Sequence, residues 1–305
     1  MNLQRDIDNY VKTKHWPQLN SVVVWQDGEV ISESYYNGCD QNSRHVIRSV
    51  GKSITSVAAG IAMDQGQFCL EDPICKFLPE FGEGRDPRHK IIKVKHLLTM
   101  TSGINWNGGV HYHCPMLVQM WKSGNVLSYI ADCPVRYTPG SIHNYSEFDI
   151  LLLGAVLDHV TGDCYSFVEE NLFKPLGIKG ERWFRSKCGV TYSVGDMNDE
   201  NEAPSALTAL DMIKIGVLFY NGGVYNEKQI VTQEYITNAI TPSKADPGYG
   251  FMWWLGEDWY GCRGFGGQTI TVFPSKKLVV VTQATPTARS LNYDVIWKIQ
   301  EFIKC

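Results

Sequence analysis

The strongest constraint on the fold is where the strand signals fall: at the two ends of the chain, with a middle left to helices and loops. Near the start, Ser21-Val22-Val23-Val24-Trp25 and Val30-Ile31-Ser32-Glu33-Ser34-Tyr35 flank Asp27-Gly28, a dipeptide suited to the left-handed turn of a tight hairpin. Strand character returns only after about residue 247, in Tyr249–Leu255, Thr269–Phe273 and Leu278–Gln283, with a second hairpin around Pro274-Ser275-Lys276-Lys277. Between these blocks Lys93–Met100 reads as a short helix, and Leu151–Leu157 belongs to a buried one stopped by Gly162. Thr208 and Asp211 form a capping-box-like start to a helix over Ala209–Tyr220, which Gly222-Gly223 end. Leu3, Ile7 and Val11 mark an opening amphipathic helix, and Val295, Ile296, Ile299, Phe302 and Ile303 a closing one. Two distant sets of strands reach a common core by pairing with each other. The expectation is an α/β (α+β) protein with one antiparallel sheet from 1–65 and 241–305, flanked by helices. Residues 66–240 form a mostly helical lobe, and a cleft lies between the two.

The sheet block ends in Arg48-Ser49-Val50-Gly51-Lys52-Ser53-Ile54-Thr55. Ile54, Val57, Ala58, Ile61 and Ala62 recur at the spacing of a helix buried along one face, and Gly66 closes it. Ser49 therefore stands at the N-terminus of that helix, with Lys52 one turn later on the same side. A lysine so placed reaches the hydroxyl, and the helix N-terminus favours negative charge beside it: the arrangement of an activated nucleophile. Read structurally, the same residues are a helix cap followed by a solvated lysine. Gly51-Lys52-Ser53 imitates the end of a phosphate-binding loop, but that loop requires a glycine where this chain has Val46.

The 305 residues are enough for a large core, and a net charge of −4 leaves no electrostatic footprint for nucleic acid. No apolar run is long enough to cross a bilayer, and Met1-Asn2-Leu3-Gln4-Arg5-Asp6 lacks the basic, then apolar, pattern of a secretory signal. Nine scattered cysteines with no C-x-x-C pair suit reduced thiols in a cytoplasm better than a disulfide framework. The expected partner is a small molecule, with no nucleic acid, no membrane and no cofactor; oligomeric state is left open.

An acyl-transfer serine also needs a base, a proton donor and an oxyanion hole. Lys52 serves as base only if held neutral, its ordinary pKa of about 10.4 lowered by burial or positive neighbours. Tyr145, in Pro139-Gly140-Ser141-Ile142-His143-Asn144-Tyr145-Ser146-Glu147, sits where a turn leads into the next helix and can share the proton traffic. His111-Tyr112-His113-Cys114 has metal-like residue types but a loop-like setting and no third distant ligand, so no metal is expected. Trp106, Trp253 and Trp254 are candidates for a pocket wall or for the core. Cys262 has no locally paired histidine and is a weak candidate nucleophile.

Several further stretches occur in a telling order: Leu97-Leu98-Thr99-Met100-Thr101-Ser102-Gly103, then Tyr137-Thr138-Pro139-Gly140 leading to Tyr145-Ser146, then Asp149-Ile150-Leu151-Leu152-Leu153-Gly154. Pro175-Leu176-Gly177, Tyr249-Gly250-Phe251-Met252-Trp253-Trp254 and Gly264-Phe265-Gly266-Gly267-Gln268 follow. With Ser49-Val50-Gly51-Lys52 these span about 20–285, and the sequence resembles the serine hydrolases related to class C β-lactamases and penicillin-binding proteins. The likeness is greatest to their esterase-like and nylon-oligomer-hydrolase-like branch. The resemblance implies a β-lactamase/transpeptidase-like fold, Ser49 as acylated nucleophile, Lys52 as its activator and Tyr145 as the acid–base partner. It implies an oxyanion hole from the backbone N–H groups of Ser49 and Phe265, and a third motif on the strand lining the site at Cys262-Arg263-Gly264.

The chain departs from the family at two places. Glu147 replaces the asparagine of Tyr-x-Asn, and Cys262 replaces the lysine or histidine of the third motif. Glu147, Cys262, Arg263 and Gly264 are thus the candidate substrate-binding residues, Gly264 because a strand edge close to substrate has no room for a Cβ. Arg263 is a possible substitute cation, although strand neighbours face opposite sides, and Glu147 is placed to pair with Arg263 or Lys52. The expected activity is hydrolysis of a neutral or cationic ester or amide, with weak or no β-lactamase activity. The alternatives are a catalytically impaired ligand-binding or sensor homologue and a D-Ala-D-Ala carboxypeptidase or penicillin-binding protein.

Overall fold

The computed structural model describes residues 2–14, 16–83, 85–108, 114–180, 182–194, 205–285 and 293–303. Its first half comprises α1 (Leu3–Lys14), β1 (Leu19–Gln26), β2 (Glu29–Tyr35), β3 (Arg44–Val46), α2 (Val50–Asp64), α3 (Val94–Leu98), α4 (Pro115–Lys122), α5 (Val126–Asp132), α6 (Glu147–Thr161) and α7 (Cys164–Val168). The second half adds β4 (Phe184–Arg185), β5 (Thr191–Tyr192), β6 (Ala206–Thr208), α8 (Ala209–Tyr220), β7 (Val224–Tyr225), β8 (Lys228–Gln229) and α9 (Gln233–Ala239). It ends with β9 (Trp254–Leu255), β10 (Tyr260–Gly264), β11 (Gln268–Phe273), β12 (Leu278–Ala284) and α10 (Asp294–Phe302).

The two ends of the chain do build one antiparallel sheet, in the order β2-β1-β12-β11-β10-β9. Asp27 and Gly28 turn between β1 and β2 at φ 46° and 110°, and β1 then pairs with the last strand, Val23 opposite Val281 and Val24 opposite Val280. The run Val22-Val23-Val24 shows no polar alternation because both faces of the sheet are covered. Val22, Val24, Leu278 and Val280 pack with α1 and α10, whereas Val23, Trp25, Val279 and Val281 join the large core containing α2, α6 and α8.

Helix α8 lies inside the 66–240 span expected for the helical lobe, yet it packs on the sheet. Its Gly216 runs so close to β11 and β12 that an added Cβ would lie 2.5 Å from Val279 Cγ1 and 2.9 Å from Ile270 Cγ2. Residues 249–253, expected as strand, are not strand either. Phe251 donates to Ala239 O and Met252 to Leu98 O at helix ends (both 2.9 Å), and Tyr249 makes only an isolated bridge to Trp254, so the strand of the sheet is Trp254–Leu255 alone. No helix among the described residues is long and apolar enough to cross a membrane.

Candidate active site

Arg48 adopts a left-handed backbone (φ 50°), a conformation costly for a non-glycine residue, and aims the chain from β3 into α2. From Ile47 to Ala62 every residue is buried except Ser49. Ser49 occupies the N-cap position of α2, but its side chain makes no capping hydrogen bond. Its Oγ instead accepts from Lys52 Nζ at 2.9 Å. The structural reading of this serine, a cap, is thereby set aside, since the hydroxyl is turned to the lysine rather than to the helix amides.

Lys52 is only 1% exposed, and besides Ser49 it donates to Glu147 Oε1 at 2.8 Å. Glu147 opens α6, whose start is fixed by Ser146 Oγ accepting the Phe148 N–H at 3.0 Å. Its second carboxylate oxygen accepts the Tyr192 hydroxyl at 2.5 Å. Both oxygens are occupied inside the protein, so Glu147 faces Lys52 and not substrate, and it does not pair with Arg263. The condition for a neutral lysine, burial or positive neighbours, is met only in its first half: the neighbour is a carboxylate, which favours the ammonium.

Tyr145, two residues before Glu147, places its ring 5.0 Å from the Lys52 ammonium, stacks on Trp254 at 5.6 Å and meets Tyr249 edge-on at 6.2 Å. Burial pushes its phenol above the usual value of 10; the Lys52 charge opposes this, Glu147 adds to it, and hydrogen bonds with Ser49 and Lys52 draw it back. Tyr145 is therefore a neutral phenol near pH 7. The loop that carries it is braced by His143, whose Nδ1 lies 2.6 Å from Asp246 Oδ2 and whose ring stacks on Tyr249 at 4.6 Å. Burial holds His143 below its usual pKa.

On β10 the third motif separates. Cys262 is fully buried on the α2 side, hydrogen-bonded to Ser53, and burial pushes its thiol up to about 12, which leaves it protonated and poorly nucleophilic. Arg263 turns to the other face, 4.8 Å over Trp259 and 5.3 Å over Tyr293, and bonds Cys262 O, Ile270 O and Thr271 Oγ1 at 2.9, 3.1 and 2.8 Å. This corrects its expected place among the substrate contacts; the alternation of the strand decides it. Gly264 is required for a different neighbour than substrate, because an added Cβ would lie 2.4 Å from Ile47 O and 3.4 Å from Arg48 Cβ. The end of β10 thus presses on the residues just before Ser49, and Phe265, 37% exposed, follows at the turn.

Of the three tryptophans, Trp254 stacks on Tyr145, while Trp253 lies in the core on Phe219 at 3.8 Å and Trp106 against Phe148 at 4.8 Å. His111, Tyr112 and His113 lie outside the described residues. Cys114 caps α4, its Sγ accepting the Leu117 N–H at 3.3 Å. The described residues hold no group of three or more His, Cys, Asp or Glu side chains able to bind a metal.

Tyr192 was not visible from sequence as a site residue. It is held by two glycines far apart in the chain: an added Cβ would lie 2.2 Å from Ser193 O at Gly51 and 2.4 Å from Thr191 O at Gly154. The backbone on either side of Tyr192 is thereby wedged against α2 and α6, the helices that carry Lys52 and Glu147. Also in the first turn of α6, the buried Asp149 accepts from Ser102 Oγ at 2.6 Å and Ser102 N–H at 3.3 Å, and burial still pushes its carboxyl up to about 7.

A family model described as Beta-lactamase matches residues 3–295. A protein of Escherichia coli (strain K12) named "Putative D-alanyl-D-alanine carboxypeptidase" is 25% identical over 271 residues, covering 74% of this chain and 62% of that protein. The chain thus spans less than two thirds of that relative's length. Esterase EstB of Burkholderia gladioli is 26% identical over 179 residues, 52% of this chain and 45% of the esterase. The solved structure of "EstCE1, a hydrolase with promiscuous acyltransferase activity" matches with a TM-score of 0.76 at 18% identity, over 98% of this chain and 97% of that one. These likenesses agree with the β-lactamase/transpeptidase-like fold described above.

Proposed function

The chain belongs to the beta-lactamase family of serine hydrolases, and within it we propose that the protein cleaves an ester or amide bond through an acyl-enzyme at Ser49. The observation that carries this reading is the Ser49 hydroxyl itself. It is at the surface of an otherwise buried run, it caps nothing, and a buried lysine holds it at 2.9 Å. Ser49 Oγ attacks the substrate carbonyl carbon as its proton leaves for Lys52. In this reading the backbone N–H groups of Ser49 and Phe265 hold the developing oxyanion; its support is that Gly264, just before Phe265, packs against Ile47 and Arg48, just before Ser49. Tyr145, a neutral phenol, protonates the leaving group, and water then releases the acyl group by the same steps in reverse.

The substrate is a neutral small-molecule ester or amide. In place of the third-motif cation stands a protonated, buried thiol at Cys262, and Arg263 is engaged on the far face, so neither supplies charge for a substrate carboxylate. Cleavage of β-lactams and of peptides ending in a free carboxylate is accordingly weak. The expected preference for cationic substrates is dropped, because the Glu147 carboxylate that motivated it is bound to Lys52 and Tyr192. The test is intact-mass spectrometry after treatment with a serine-reactive phosphonate, together with p-nitrophenyl ester hydrolysis. One adduct, abolished in Ser49→Ala, is expected. No adduct, or one that survives in that variant, rejects the acyl-enzyme. Rapid turnover of a chromogenic cephalosporin would reject the substrate assignment alone.

A further inference from the structure

We infer that Glu147 is the proton store behind Lys52 and that Tyr192 is the positioning residue that holds it ready; this rests on the acyl-enzyme reading above. A lysine that already donates to a carboxylate cannot take a further proton until it gives one up. Here it has somewhere to put it, since Glu147 Oε1 is 2.8 Å from Lys52 Nζ, and the two side chains are only 6% and 1% exposed. Ammonium-carboxylate and amine-carboxylic acid pairs carry the same total charge and differ by one proton moved across one hydrogen bond. Burial removes much of the hydration that favours the charged pair in water. The amine form is thus reached without a proton leaving the protein.

The proton moves from Lys52 Nζ to Glu147 Oε1, leaving an amine lone pair directed at Ser49. Ser49 Oγ forms its bond to the carbonyl carbon, the carbonyl π pair moves onto oxygen, and the serine proton passes to Lys52. When the tetrahedral species collapses, the bond to the leaving group breaks with its electron pair and the leaving group takes a proton from Tyr145. Tyr145 is reprotonated by Lys52, and Lys52 by Glu147. The resting ion pair returns, and the proton lost by Ser49 has in effect reached the leaving group.

Tyr192 makes the pair directional. A carboxylate accepts from the lysine and the tyrosine hydroxyl at once, one on each oxygen, and can take up a proton from the lysine, which an amide in its place cannot. The Tyr192 hydroxyl at 2.5 Å from Oε2 orients Oε1 to Lys52. Its own position is rigid, because Thr191 O and Ser193 O abut Gly154 of α6 and Gly51 of α2. The titratable groups around Glu147 are Lys52 from α2, Tyr192 from β5, Tyr145 from the loop before α6, Tyr249 from the segment before β9, and Asp149 on α6 itself.

The experiment measures kcat and KM of p-nitrophenyl ester hydrolysis for wild type, Tyr192→Phe and Glu147→Gln, with phosphonate labelling of Ser49 as the check on folding and nucleophile. Tyr192→Phe should lower kcat/KM about tenfold, the worth of one buried hydrogen bond to a charged group. The loss should fall on kcat with KM unchanged, since Tyr192 holds the carboxylate and not the substrate. Glu147→Gln, which cannot take the proton from Lys52, should lower kcat about a hundredfold or more. A solvent-isotope proton inventory on the wild-type protein needs no variant, and a curved plot, from more than one proton in flight, is expected. A linear inventory, Tyr192→Phe with wild-type kcat, or Glu147→Gln with wild-type kcat overturns the proposal while Ser49 still labels. Failure of wild-type Ser49 to label rejects the acyl-enzyme reading itself, and this proposal with it.

Discussion

Asp149→Asn should change how the stability of this protein depends on pH. Asp149 is fully buried in the first turn of α6, and burial raises its carboxyl from 3.8 to about 7 despite two hydrogen bonds from Ser102. An acid whose folded pKa exceeds its unfolded value binds its proton more tightly in the folded state. Its stabilising contribution is complete below pH 3.8 and is lost as pH rises through about 7. Between those values the loss is about 1.4 kcal/mol per pH unit, and from pH 5 to pH 8 it sums to about 2–3 kcal/mol. Asparagine does not titrate and escapes this loss, although its NH2 takes the place of one of the two oxygens to which Ser102 donates. Urea unfolding of wild type and Asp149→Asn at pH 5, 6, 7 and 8 reads the effect. The stability difference should move in favour of the variant by about 2–3 kcal/mol across the series and level off above pH 7. A difference that stays constant from pH 5 to pH 8 refutes the reasoning.

Gly51→Ala places a Cβ 2.2 Å from the backbone oxygen of Ser193, so β5 must shift; thermal melts should show about 1–3 kcal/mol of lost stability, and ester hydrolysis should fall as Tyr192 moves. Tyr145→Phe removes the phenol beside Ser49 and should slow ester hydrolysis about a hundredfold, measured as kcat, while leaving the phosphonate adduct at Ser49 detectable. Arg263→Met leaves two carbonyls and a threonine hydroxyl without their donor and should cost about 2–3 kcal/mol in urea unfolding, with the ester KM unchanged. Brief iodoacetamide treatment of the native protein at pH 8 should label the exposed Cys69 and Cys188 and spare Cys262, as peptide mass mapping would show.

Much of the local structure was legible because it depends on neighbours in the chain. Asp27-Gly28 dictates its hairpin, Thr208 its cap with the Asp211 N–H at 3.0 Å, and Gly162 the stop of α6 at φ 83°. The apolar, aromatic composition of 249–253 suits a strand, and nothing local reveals that the Phe251 and Met252 amides will be claimed by Ala239 O and Leu98 O. For the same reason α8 was grouped with the helical lobe: a glycine in a helix does not announce which sheet it will lie on.

The sequence by itself determined that the strands come from both ends, that Ser49 heads a buried helix with Lys52 one turn on, and that Tyr145 stands before another helix. These are statements about periodicity, turns and spacing, which the backbone obeys locally. Only the tertiary structure decided what the two departures from the family pattern mean. Glu147 became the partner of Lys52 and not a substrate contact, because α2 and α6 are held together across the backbone of β5. Cys262 became a sealed thiol and Arg263 a clamp on the far face, because one strand must point its neighbours to opposite sides. Tyr192 acquired its place only when Gly51 and Gly154, about a hundred residues apart, closed on either side of it. Long-range contacts of this kind are set by packing, and no spacing along the chain encodes them.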